Sequence, residues 1–65
     1  MDWNQVAGEW KQLVERVRQK WGRLTDDDME QIDGRREKLI SRVQQRYGYT
    51  KTAAETEIDD FCSHI

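Results

Sequence analysis

The chain has no proline, one cysteine, one histidine and four glycines in 65 residues. A single cysteine, Cys62, cannot close an internal disulfide, which fits a reducing compartment and leads us to expect a cytoplasmic protein. His64 and Cys62 are too few for a zinc site. At i and i+2 of a helix they also face apart, which excludes a Cys–His nucleophilic pair. No run of about 18 apolar residues is present to span a membrane, and the first residues lack the charged-then-apolar pattern of a secretion signal. Neither phosphate-cradling glycine motif, G-x-x-x-x-G-K-[ST] or G-x-G-x-x-G, occurs. Charge of one sign is missing as well: 11 basic against 13 acidic side chains leave a net −2, so nothing attracts the whole molecule to nucleic acid or anionic lipid. We therefore expect no enzyme, with no catalytic, cofactor-binding or metal-binding residue, and no membrane association.

What remains is a short, strongly charged chain. With 37% charged and 35% apolar residues and a mean hydropathy of −1.09, only a thin core can form, and residues 1–65 read as one domain. Trp3, Val6, Trp10, Leu13 and Val17 recur at steps of three and four, with Val14 and Trp21 widening the stripe, as on one face of a helix. Gly22 closes that helix and Arg18 and Lys20 suit its C-terminal dipole, while Gly8 sits inside it as a close-approach point. Thr25 caps a second helix whose first turn is Asp26, Asp27 and Asp28. Met29 and Ile32 give it an apolar edge, and Asp33-Gly34 breaks the chain in preference to one helix running on to Tyr47. Leu39, Ile40, Val43 and Tyr47 form a third helix closed by Gly48. Thr52 with Glu55 forms a capping box for a fourth, which carries Ala54, Ile58, Phe61, Cys62 and Ile65. Phe61, Cys62 and Ile65 would make an apolar patch if that short helix left them exposed.

Charge is segregated along the chain in blocks of alternating sign, basic in 1–24 and 35–51, acidic in 25–34 and 52–65. Helix dipoles account for most of this, since acids begin the second and fourth helices and bases end the first and third. Arg35, Arg36 and Lys38 do not fit, because they begin the third helix; acidic partners across the bundle would resolve them. With Arg42 and Arg46 they form the candidate contact surface. Unknown protein partners are one use for it; nucleic acid is a second, disfavoured by the overall charge. Gly48-Tyr49-Thr50-Lys51 partly resembles a helix-hairpin-helix turn, but Thr50 replaces its second glycine and Glu55, Glu57, Asp59 and Asp60 follow. Asp26, Asp28, Glu30 and Glu37 fall at calcium-loop positions, yet Gln31 stands where that loop needs glycine. The three tryptophans, which could stack on bases, all join the apolar stripe and are expected in the core.

The order of motifs resembles the CsbD-like bacterial stress-response family. It runs Gly8-Glu9-Trp10-Lys11-Gln12, then Trp21-Gly22-Arg23-Leu24-Thr25-Asp26-Asp27-Asp28, then Gly34-Arg35-Arg36, then Gln45-Arg46-Tyr47-Gly48-Tyr49. The resemblance spans nearly the whole chain. It implies an all-α fold, a small four-helix bundle of two packed helical hairpins, and a hydrophilic protein induced by general stress without an assigned molecular activity. The chain departs from the family at Glu15 and Ser41, where relatives often have glycine. The expected role is thus a small soluble non-enzymatic protein acting as an interaction or protective module, with weak nucleic-acid binding through the third helix and the Gly48 turn as the alternative.

Overall fold

The stripe from Trp3 to Trp21 folds as two helices instead of one. In the computed structural model, which describes residues 2–64, α1 covers Trp3–Gly8 and α2 Trp10–Lys20. Asp2 caps α1, its carboxylate accepting the Gln5 N–H at 3.0 Å. Glu9 interrupts the ladder at φ −110° and ψ 23°. The expected single helix is corrected here, because Gly8 marks a break and not a close approach: nothing lies within 4 Å of where its Cβ would be.

The second element, α3, covers Asp26–Ile32. It ends as expected at Asp33-Gly34, both left-handed at φ 43° and 80°. Gly34 is buried, and a Cβ there would lie 3.4 Å from the Cα and carbonyl oxygen of Ala7. The indole Nε1 of Trp3 donates to the Gly34 carbonyl at 2.9 Å. The same glycine thus turns the chain and seats α1.

Helix α4 covers Arg36–Tyr47 and α5 covers Lys51–Ser63. Gly48 closes α4 at φ 71°, its N–H donating to Gln44. The expected Thr52–Glu55 box does not form; Thr50, extended at φ −69° and ψ 163°, is the cap, its hydroxyl accepting the Ala53 N–H at 3.1 Å. The reason is proximity: with only Tyr49 between the Gly48 closure and Thr50, the earlier threonine already has the extended backbone a cap requires. Lys51 and Thr52 then occupy the first turn, which holds no acid.

Among the described residues the chain is all-helical, with five helices in place of the four expected. Helix α4 packs against both α3 and α5, and α1 against α2. The core holds the apolar stripes of all five helices, and Leu24, in the α2–α3 connection, joins it at 2% exposure. Trp21 and Trp10 are buried and Trp3 half-buried. Trp21 meets Phe61 at a ring separation of 5.3 Å, which ties the end of α2 to α5. Its Nε1 is buried with no acceptor among the described residues, an omission of about 1 to 3 kcal/mol. Phe61 is buried and Cys62 half-buried against the core, so those two form no open patch; Ile65 lies outside the described residues. Burial pushes the Cys62 thiol up. Glu15 and Ser41 are exposed, so the family glycines replaced there would make no close helix approach. The radius of gyration, 10.5 Å, matches the roughly 10.7 Å of a packed chain this long.

Candidate functional site

The most constrained polar group is one that the sequence placed in the first turn of the second helix and at a failed calcium-loop position. Asp28 is 2% exposed. Its Oδ2 accepts the Thr25 N–H at 3.0 Å while its own N–H donates to the Thr25 hydroxyl at 3.1 Å, a reciprocal cap. The same carboxylate takes a two-pronged contact from Arg46, Nε to Oδ2 at 3.0 Å and Nη2 to Oδ1 at 3.1 Å, and Arg42 Nη1 stands 3.6 Å from Oδ1. The Arg46 guanidinium holds the Asp28 carboxyl below the usual carboxylate range, against the opposing effect of burial. Arg46 is correspondingly held above its ordinary value. A cap followed by an acid at its third position, with arginines at i and i+4 on a later helix, is the signal that could have picked out this group.

The five candidate contact residues therefore do not act together. Arg42 and Arg46 turn to Asp28. Arg36 pairs with Asp59 of α5 at 2.7 Å, the acidic partner across the fold that the sequence reading asked for. Arg35, at the N-cap of α4, and Lys38 are exposed with no ion pair among the described residues. The charge blocks cancel between helices more than along their dipoles. Arg18 pairs with Asp26, and Lys20 lies 3.7 Å from Glu57 and 3.6 Å from Asp60.

Around the Gly48 turn, Tyr47 and Tyr49 stack at 5.5 Å and 15°. The Arg23 guanidinium lies over Tyr47 at 5.4 Å, and the Arg23 N–H donates to the Tyr47 hydroxyl at 3.2 Å. The turn is accounted for by two caps and this stack. Across the molecule, Trp10, Val14 and Met29 floor an open groove of about 450 Å³ bordered by Asp26, Glu30, Asp33 and Lys11. No described helix is long and apolar enough to cross a membrane.

A family model described as CsbD-like matches residues 4–56. A UPF0337 protein of Agrobacterium fabrum is 54% identical over 61 residues, covering 94% of this chain and 91% of the relative. One from Rhizobium meliloti is 61% identical, covering 94% and 88%. One from Pseudomonas aeruginosa is 42% identical over 60 residues, covering 92% of each.

Proposed function

We propose, from the premise that the chain belongs to the CsbD-like family, that it is a small soluble cytoplasmic stress-response protein acting without catalysis, as an interaction or protective module. The observation that carries the reading is how its charge is used. Three arginines of α4 are latched to acids, Arg42 and Arg46 to Asp28 and Arg36 to Asp59. Lys11, Glu15, Arg16, Asp27, Glu30 and Lys38 stand in solvent with no ion pair among the described residues. Such a surface is well hydrated, carries both signs and suits weak contacts with many partners. Nucleic-acid binding through α4 is the weaker reading, since Arg42 and Arg46 already face a carboxylate and phosphate contacts need unspent cations.

The test dries or heats an unrelated labile enzyme with the chain and compares retained activity against an equal mass of albumin, alongside crosslinking in stressed cells. Activity retained above the albumin control, or a reproducible set of crosslinked proteins, supports the reading. Neither protection nor any crosslinked partner overturns it.

A further inference from the structure

The apolar stripe of the N-terminal third keeps helical register straight through a point where the structure bends. Trp3, Val6, Trp10, Leu13 and Val17 would share one face of a continuous helix, yet the ladder stops after Gly8. The bend rests on one residue, Glu9, at φ −110° and ψ 23° where a helix has about −63° and −42°. Its N–H is shared between the Gln5 and Val6 carbonyls at 3.0 and 3.2 Å. The bonds a continuous helix would run from the Trp10 N–H to Val6 and from the Lys11 N–H to Ala7 are missing among the described residues. Straightening Glu9 would restore both. It would also lift α1 off its seat, exposing Val6, which is fully buried, and breaking the Trp3–Gly34 bond.

We infer that α1 is an exchangeable arm: in a second copy of this chain, the seat made by Gly34 and Trp10 accepts the straightened Trp3–Gly8 segment of the first, and the reverse, giving a two-fold dimer. Every contact α1 makes in the monomer is re-formed across the dimer, Trp3 to the Gly34 carbonyl, Ala7 against Gly34, Trp3 against Trp10 at a ring separation of 6.2 Å. The gain is the restored helix at two hinges; the loss is the freedom of one molecule. The hinge is short, the condition under which exchange is favoured, and lengthening it should suppress exchange.

Light scattering after gel filtration, from micromolar to millimolar concentration, tests this on the full chain with two variants. Glu9→Gly tolerates the bent backbone at φ −110° and ψ 23° and weakens the straight helix at both hinges, so the dimerisation constant should fall by about tenfold, about threefold per hinge. Inserting two glycines between Gly8 and Glu9 should return the chain to monomer. In a dimer of differently isotope-labelled copies, a nuclear Overhauser contact between the Trp3 indole proton of one and Gly34 of the other is expected. A chain that stays monomeric at millimolar concentration overturns the inference. So does a dimer indifferent to both hinge changes, or one whose Trp3–Gly34 contact stays within each copy.

Discussion

Asp28 serves two structures with the same two oxygens, closing the cap of α3 and receiving the arginines of α4. Because its folded pKa is depressed, the stability it contributes is present above the unfolded carboxylate pKa of about 3.9. It is lost as the pH falls through that value toward the folded one. Asp28→Asn should therefore destabilise the protein at neutral pH by about 2 kcal/mol, below the range for a fully buried pair because the arginines are partly solvated. Its urea-unfolding free energy should fall less than the wild type's as pH drops below about 4. Gly34 is the other residue with no substitute. Gly34→Ala meets both a left-handed backbone and Ala7, and a loss of about 1 to 2 kcal/mol is expected. Gly48→Ala meets the same kind of backbone in open space and should lose less, so the two thermal midpoints measure the α1 contact by their difference.

At the scale of the element, local chemistry was legible where one signal stood alone and misread where two competed. Thr25 and the acids after it gave the start of α3, and Asp33-Gly34 gave its end, because caps and left-handed residues act within a turn. Thr50 and Thr52 both offer a hydroxyl before the same apolar run, and the backbone arriving from Gly48 decided between them. Thr50→Ala should accordingly cost about 1 kcal/mol in chemical denaturation, and Thr52→Ala next to nothing. The split of the first helix was misread because the period of its apolar residues is unbroken and Gly8, the one mark beside it, was taken for a close approach. The burial of Asp28 was hidden for another reason: it depends on arginines 14 and 18 positions away along the chain, and a helix partner at that distance follows from topology, not from spacing.

At the scale of the whole molecule, the alternating charge blocks become neighbours that neutralise one another, which turned a row of five candidate contact residues into three latched arginines and two exposed cations. The inward turn of Trp10 and Trp21 was readable because both lie on the apolar stripe and so polar a chain needs their large area in its core. What the sequence could not disclose is how little of that core any one element holds. Helices of six to thirteen residues are too short to persist alone, so they form together or not at all. Their packing joins mainly elements adjacent along the chain, α1 with α2, α3 with α4, α4 with α5, and loops this short close within about a microsecond. A chain so arranged regains its shape quickly after being emptied of it. After any unfolding insult its return would then rest on recovery, on how fast it reassembles once native conditions come back.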